Sequence, residues 1–140
     1  MSTEANKTLV RHYFEAGNRN DFVAWDHLCA SDMVLYTGFT EPMQGLEAVK
    51  QFSVTFHNAF SDFFLRIEDM VAEGDRVAAR WTTGGVHTAP LASPGGVIPP
   101  TGKEMAMSGM SILRLADGKI VEERVQADVF GGMQQLGVIP

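Results

Sequence analysis

Four polar side chains near the C-terminus have the types and spacing needed for acid and base chemistry. If the strand that carries them is regular, one face holds Glu122, Arg124, Gln126 and Asp128. The Asp128 carboxylate, inside an apolar pocket, would be disfavoured as an anion and suited to act as a general base. Arg124 would then either oppose that effect or stabilise an enolate oxygen. A solvated strand face explains the same four residues equally well.

A third candidate catalytic side chain, besides Asp128 and Arg124, is His87. It lies near the end of a strand that leads into a long loop, where it would either orient a substrate or serve as a buried structural histidine. Further side chains are candidates for the wall of a substrate pocket. They are Tyr13, Tyr36, His57, Arg80, Thr82, Met110 and Gln126.

Some of these pocket candidates have an ordinary structural alternative. Arg80 stands mid-strand among apolar residues, so a buried guanidinium there would need an acid, and Glu122 is the natural partner. Thr82 has the same parity as Arg80 and would offer a hydroxyl group to the same space. Tyr13 lies on an apolar helical stripe, where core packing is an equal alternative. His57 is also consistent with a helix border or an interface.

The sequence lacks the motifs of metal, nucleotide and serine-nucleophile sites. It has no CxxC, no histidine pair at i,i+4, no glycine-rich phosphate loop and no GxSxG. The single cysteine, Cys29, lies on an apolar helical stripe, which favours an inert buried thiol over a nucleophile. We therefore expect chemistry without a metal or a cofactor.

Composition narrows the class of protein further. A length of 140 residues predicts one domain, 1–140, and a net charge of −6 argues against nucleic acid as a partner. No run of about 18 apolar residues predicts a membrane span. The start of the chain does not resemble a signal peptide, and one cysteine is typical of a reducing compartment, so we expect a cytoplasmic protein.

The hydrophobic periodicity predicts helices in the first half of the chain and strands in the second. Helical stripes pass through Val10, Trp25 and Val49, and the third stripe continues to Phe60. Strands are predicted over 33–37, 63–72, 76–88, 103–115 and 119–128, with a loop of four prolines over 89–102. This order predicts an α+β fold. Its curved, mainly antiparallel sheet would form a cone with the helices on its concave face and a pocket between them.

Several short motifs occur in the order found in a known family. They are Arg80-Trp81-Thr82, Gly85-Val86-His87-Thr88, Pro99-Pro100-Thr101-Gly102-Lys103, Asp117-Gly118-Lys119-Ile120-Val121-Glu122, and Asp128 with the closing segment 133–140. In these residues the chain resembles the SnoaL-like polyketide cyclases of the nuclear transport factor 2-like superfamily, which are cone-shaped α+β barrels. It departs from that pattern at Arg124, where many relatives have tryptophan, and at Val86, where threonine is common.

The resemblance implies a reaction, a substrate class and an assembly. Asp128 would remove an acidic carbon-bound proton from a polyketide ester without a cofactor, and the enolate would close a ring by aldol attack. The substrate would be an apolar or aromatic small molecule. The sheet face opposite the pocket would be covered by a second copy of the chain, which makes a homodimer.

Two other functions remain open on the sequence alone. The domain could bind an apolar ligand without catalysis, as many proteins with this cone fold do. It could also resemble the limonene epoxide hydrolases, in which an arginine stands between two aspartates. Arg80 would supply the arginine, but Thr82 stands where one aspartate is expected.

Overall fold

The computed structural model describes residues 2–38, 40–93 and 95–140. The four helices are α1 (Thr3–Asn18), α2 (Phe22–Leu28), α3 (Leu46–Ala59) and α4 (Val129–Gln135). The eight strands are β1 (Cys29–Tyr36), β2 (Met43–Gln44), β3 (Phe60–Glu73), β4 (Arg76–His87), β5 (Leu91–Ser93), β6 (Gly96–Ile98), β7 (Glu104–Ala116) and β8 (Lys119–Ala127). Within the described ranges, no helix has the length and apolar character required to span a bilayer.

Six strands form one mixed sheet in the order β2-β1-β8-β7-β4-β3. The four long strands β3, β4, β7 and β8 pair antiparallel, as the sequence predicted, and β1 joins β8 in parallel. The α+β class is therefore confirmed, with helices on a curved, mostly antiparallel sheet. The sheet keeps two edges, β2 and β3, so it is a cone that is not closed into a barrel.

Helix α1 packs on the concave side of this sheet because its apolar residues recur at helical spacing. Ser2 caps its start by accepting a hydrogen bond from the Ala5 amide at 3.1 Å. Val10, Tyr13 and Phe14 are buried in the main core together with Trp25 of α2. The aromatic rings of Tyr13 and Trp25 stack with their centroids 5.1 Å apart, which fixes α2 against α1.

The region between the two long hairpins differs from the predicted loop. Leu91–Ser93 and Gly96–Ile98 pair as a small β-hairpin, and the side chains of Leu91 and Ile98 are buried in a second core against Leu136. Pro94, one of the four prolines, lies outside the described residues. Phe60 also differs, because α3 ends at Ala59 and the buried Phe60 begins β3.

A bulge in β8 decides which residues face the helices. Arg114 of β7 pairs with Glu122 and Leu115 pairs with Ile120, so Val121 has no partner on β7. Ile120 is buried before the bulge, and Glu123 is buried after it. The extra residue shifts the alternation by one position. Beyond it Glu123 points to the concave side, and Arg124 points to the outer side.

Candidate active site

A cavity of about 150 Å³ lies between the helices and the concave face of the sheet. An apolar cavity of similar volume can hold a benzene-sized ring. Its walls are mostly aromatic and aliphatic. The lining includes Tyr13, Trp25, Phe52, Phe56, Phe63, Trp81, Thr83, Met107, Glu123, Val125 and Ala127. Tyr13, Trp25, Trp81 and Glu123 are buried, whereas Thr83, Met107 and Ala127 are half-buried, so the Glu123 end is the closed one.

At that end, polar groups form a chain of hydrogen bonds around Glu123. The Tyr13 hydroxyl donates to Oε1 at 2.5 Å, and the Ser111 hydroxyl donates to Oε2 at 2.7 Å. Trp81 Nε1 in turn donates to Ser111 Oγ at 3.0 Å. Glu123 is 5% exposed and has no cation within ion-pair distance among the described residues. It is thus a buried acid satisfied by hydroxyl donors alone.

Burial changes the proton affinity of the groups at this end of the cavity. Desolvation raises the pKa of Glu123, although the hydrogen bonds from Tyr13 and Ser111 partly oppose it. Desolvation, followed by the negative charge of Glu123, raises the pKa of Tyr13 well above its ordinary value. The same two causes raise the pKa of Cys29 to about 12, so this buried thiol stays protonated and inert at neutral pH.

The raised pKa of Glu123 predicts how stability depends on pH. Between the ordinary carboxyl pKa of 4.5 and the raised value, the folded chain binds more protons than the unfolded chain. In that window the free energy of unfolding falls by up to about 1.4 kcal/mol for each unit of rising pH. Compared with Glu123→Gln, the wild type should therefore gain stability as pH is lowered, as measured by urea unfolding at several pH values.

The matched control for this measurement is Glu122→Gln. Glu122 stands next to Glu123 in the chain but pairs with Arg124 at 3.1 Å on the outer face. The difference in free energy of unfolding between the wild type and Glu122→Gln should not grow as pH is lowered. A constant difference between wild type and Glu123→Gln across the pH range, or a gain by the wild type with rising pH, would contradict the raised pKa.

Asp128 stands at the end of β8, directly after the cavity-lining residue Ala127. Its carboxylate is exposed and caps α4, because Oδ1 accepts a hydrogen bond from the Gly131 amide at 2.9 Å. The expectation that it lies inside the apolar cone is wrong, since β8 ends at Ala127 and the chain turns into α4. Its role as a base stays a prediction.

His87 is fully buried and is not part of the cavity wall, and its ring lies 5.3 Å from that of Phe60, a residue of the second core. Its Nδ1 accepts a hydrogen bond from the Thr101 amide at 3.2 Å and lies 3.1 Å from the Thr101 hydroxyl oxygen. Nε2, which therefore carries the hydrogen in the neutral ring, has no partner among the described residues. Its substrate-orienting role stays a prediction.

The other predicted residues of β4, β7 and β8 lie on the outer face of the sheet. Arg80, Met110, Arg124 and Gln126 are exposed, and Thr82 is half-buried. The expectation that these five side chains and Glu122 face the pocket is wrong for a geometric reason. The β8 bulge moves Glu123 inward, and in β4 the inward positions are those of Trp81 and Thr83.

Their contacts on the outer face differ from the predicted ion pair. The guanidinium Nε of Arg80 lies 3.1 Å from Asp69 Oδ1, and that of Arg124 lies 3.1 Å from Glu122 Oε2, so Arg80 and Glu122 do not pair. The Thr82 hydroxyl donates to Glu68 at 3.0 Å. These side chains form a charged outer surface.

The remaining candidates lie at different distances from the cavity. Tyr13 lines it, as described above. The half-buried Tyr36 is outside the lining, with its ring centroid 4.0 Å from the Arg124 guanidinium carbon. The His57 ring lies tilted against that of the lining residue Phe63, with the ring centroids 4.0 Å apart, and its two ring nitrogens approach the carbonyl oxygens of Ser53 and Asn18. The structure thus brings only Tyr13 of the predicted set into the cavity wall.

Glu123 is the ionisable residue that the sequence reasoning missed. A signal was present, because Val121, Glu123, Val125 and Ala127 alternate as the more apolar face of the predicted strand. An acidic residue in a row of otherwise apolar residues is expected to be buried with them. In the part of the chain that the structure describes, no three His, Cys, Asp or Glu side chains form a group that could hold a metal ion.

Fold and cavity together define the class of protein: an α+β cone with an apolar site that is closed at one end and contains one buried acid. The family model of the SnoaL-like polyketide cyclases matches residues 7–136. This chain therefore belongs to the SnoaL-like polyketide cyclase family, which has the nuclear transport factor 2-like fold. No curated protein matches it in sequence.

Solved structures agree with that assignment. A candidate SnoaL-like polyketide cyclase from Jannaschia sp. CCS1 is similar with a TM-score of 0.86 and 20% identity, covering 99% of this chain and 95% of that one. AclR, a candidate hydroxylase from Streptomyces galilaeus, has a TM-score of 0.83 and 27% identity over 99% and 100%. IdmH, a candidate polyketide cyclase from Streptomyces antibioticus, has a TM-score of 0.81 and 26% identity over 94% and 98%.

Proposed function

We propose that this protein is a cofactor-independent enzyme that closes a ring in an apolar or aromatic ester, in the manner of its family. The observation that carries the proposal is the aromatic cavity of about 150 Å³ that ends at β8, one residue before an aspartate. One ring of a planar substrate would be held by apolar contact with Trp25, Phe52 and Phe56, and the rest of the molecule would extend through the half-buried end of the cavity. Its reacting end would then lie towards Ala127 and Asp128.

Asp128 is the proposed base. Its Oδ1 is held by the Gly131 amide, and Oδ2 has no hydrogen-bond partner within the described ranges, so one oxygen is available to a proton. The carboxylate removes a proton from the carbon next to the ester carbonyl. The enolate carbon then bonds to a ketone carbon of the same molecule, and the resulting alkoxide takes up one proton. Atoms are conserved, so the product is an isomer of the substrate.

Mass conservation provides the experiment. A suitable probe is a naphthalene with an ester-bearing methylene on one ring carbon and a diketone arm on the next, so that aldol closure gives a six-membered ring. We expect the protein to convert it to a product of identical mass and different chromatographic retention. Binding of the probe without conversion would overturn the proposal and leave the non-catalytic alternative.

The epoxide hydrolase alternative finds no support in the cavity. It requires an arginine between two aspartates, but Arg80 lies on the outer face with Asp69. No arginine and no aspartate lines the cavity among the described residues. The AclR likeness also shows that the fold accommodates proteins described with other chemistries, so the site must decide the function.

We further propose that a second copy of the chain covers the outer face of the sheet. Val71, Ala78 and Ile112 lie opposite one another on β3, β4 and β7 and form an apolar row across that face. Val71 is 68% exposed and Ile112 is 49% exposed. Arg124 of β8 continues this row beside Ile112, and Arg80 lies two residues further along β4. Both are already paired within the chain, with Glu122 and Asp69, so a two-fold interface here would hold compensated charges around its apolar row.

An oligomer test follows from this row. Sedimentation of the wild type should give twice the chain mass of 15.3 kDa, and Ile112→Lys should shift the equilibrium towards the monomer by placing a charge in the buried row. Val23→Lys is the control, because Val23 is 71% exposed on α2, away from the sheet. A wild type that sediments as a monomer would contradict the proposed dimer.

A further inference from the structure

The closed end of the cavity contains a hydrogen-bond chain that the ring-closing chemistry does not use. It runs from Trp81 Nε1 to Ser111 Oγ, from Ser111 to Glu123, and between Glu123 and Tyr13. Both Glu123 and Tyr13 also line the cavity. The other hydroxyl groups of the wall already have partners in the protein: Thr37 bonds to Thr40, Ser53 to Asn20 and Thr83 to the Phe64 carbonyl.

The direction of the hydrogen bond between Glu123 and Tyr13 depends on whether Glu123 is protonated. When Glu123 is a carboxylate, Tyr13 and Ser111 both donate to it, and the Tyr13 hydrogen is not available to a ligand. When Glu123 is a carboxylic acid, its own O–H can donate to Tyr13 Oη across the same 2.5 Å. The Tyr13 hydrogen is then released to bind an acceptor in the cavity.

We propose that Tyr13, aligned by Glu123 and Ser111, binds a carbonyl oxygen of the ligand at the closed end of the cavity. Tyr13 is the binding residue, and Glu123 and Ser111 are positioning residues that act through it. This subsite rests on the proposed function and extends it, because the substrate must carry a carbonyl oxygen far from its reacting carbon. Asp128 follows the end of β8, five residues after Glu123, and an extended chain of that length spans roughly 16 Å. Tyr13 therefore anchors a distal carbonyl, and not the enolate.

The described side chains around Glu123 carry no charge that would keep it ionised. Tyr13 from α1 and Cys29 from the start of β1 are the titratable groups near Glu123, and both keep their protons at neutral pH because burial raises the pKa of each. β7 contributes Ser111 and β4 contributes Trp81, which are uncharged. Lys50, Asp26 and Lys119 influence the pKa of Cys29 and are not among the causes that shift the pKa of Glu123. Nothing charged in the described residues pairs with Glu123.

The test compares two ligands of nearly equal shape, 1-tetralone and its hydrocarbon tetralin. The chain has two tryptophans, Trp25 and Trp81, and both line the cavity, so their fluorescence reports binding of either ligand. The informative quantity is the ratio of the tetralin Kd to the tetralone Kd, which cancels the apolar contribution. We expect Tyr13→Phe to lower this ratio about 10-fold, as the loss of one good hydrogen bond does.

A pH series separates this role from a merely structural one. In the wild type the ratio of the two Kd values should rise as pH falls. Tetralone binds the form in which Glu123 is protonated, and lower pH makes that form more abundant. Glu123→Gln should keep tetralone binding but make it independent of pH, since the amide can donate to Tyr13 permanently. Thr83→Val is the control, because the Thr83 hydroxyl lines the cavity but donates to the Phe64 carbonyl at 2.9 Å. Its ratio should equal that of the wild type.

Two results would overturn the subsite. One is an unchanged ratio in Tyr13→Phe, and the other is a wild-type ratio that does not vary with pH. If Tyr13→Phe does not fold, Glu123→Gln provides the test, since the amide preserves the hydrogen bonds with Tyr13 and Ser111. Binding is measured without turnover, so failure of the ring-closing proposal would leave this result intact, and the reverse also holds.

Discussion

Replacing Asp128 with asparagine is expected to lower the rate of ring closure by about 10²–10⁴-fold, the usual contribution of one positioned general base. Asparagine retains the size of the side chain and an oxygen for the Gly131 amide, so the α4 cap should survive. Binding of the naphthalene ester should therefore be unchanged, and the loss should appear in kcat. The measurement is the initial rate of product formation at saturating ester.

Asp21→Asn is the matched control for that variant. Asp21 caps α2 as Asp128 caps α4, with its Oδ1 accepting from the Ala24 amide at 3.2 Å, but unlike Asp128 it does not adjoin a cavity-lining residue in the chain. Any effect of exchanging a capping aspartate for asparagine is common to both variants. If both lose activity equally, or if Asp128→Asn retains the wild-type rate, Asp128 is not the base.

Gly84→Ala is expected to lower the free energy of unfolding by about 3 kcal/mol or more. A Cβ atom at Gly84 would stand 1.8 Å from the carbonyl oxygen of Met105 on the neighbouring strand β7. That atom is backbone within a paired sheet, so β4 and β7 would have to separate. Urea unfolding of the purified variant measures the change.

Gly95→Ala provides the comparison, because a Cβ atom there would meet no atom within 4 Å. Its stability should stay within about 0.5 kcal/mol of the wild type. A Gly84→Ala variant that loses less than about 1 kcal/mol would show that the sheet accommodates the methyl group. The close approach of β4 and β7 would then be wrong.

The sequence predicted the α+β class and the antiparallel pairing of the four long strands because their alternation and turns are strong local signals. The turns at 74–75 and 117–118 fix the two hairpins, and glycine at each matches the backbone there, with positive φ at Gly74 and Gly118. The short hairpin of β5 and β6 was not predicted. Strands of three residues are too short to show a periodic pattern in the sequence. The burial of Leu91 and Ile98 depends on packing with Leu136, which is distant in the sequence.

The site was harder to predict because it depends on one extra residue in β8. Counting from the buried Ile120 in a regular strand places Glu122, Arg124 and Gln126 inside. The bulge at Val121 reverses that order, so the buried acid is Glu123. Bulges are set by pairing with a neighbouring strand and leave little mark on local sequence. Helix α1 is regular, so Tyr13 could be placed on the apolar stripe from spacing alone.

Glu123 in β8 and Asp128 directly after the end of β8 have different surroundings, and we propose a different function for each. Glu123 is buried between hydroxyl donors, and its pKa is raised by desolvation, which suits a group that aligns Tyr13. Asp128 is exposed beside the half-buried end of the cavity, which suits a group that exchanges protons with a reacting carbon. A Glu123→Gln variant should therefore change ligand affinity, and an Asp128→Asn variant should change turnover.

The most direct test of the central proposal is the rate at which the naphthalene ester is converted to its isomer by the wild type and by Asp128→Asn, with bound ester measured in parallel. The proposed mechanism requires conversion by the wild type, a rate at least about 100-fold lower for Asp128→Asn, and equal binding. Equal rates for the two proteins, or binding by the wild type without any isomer, would contradict it.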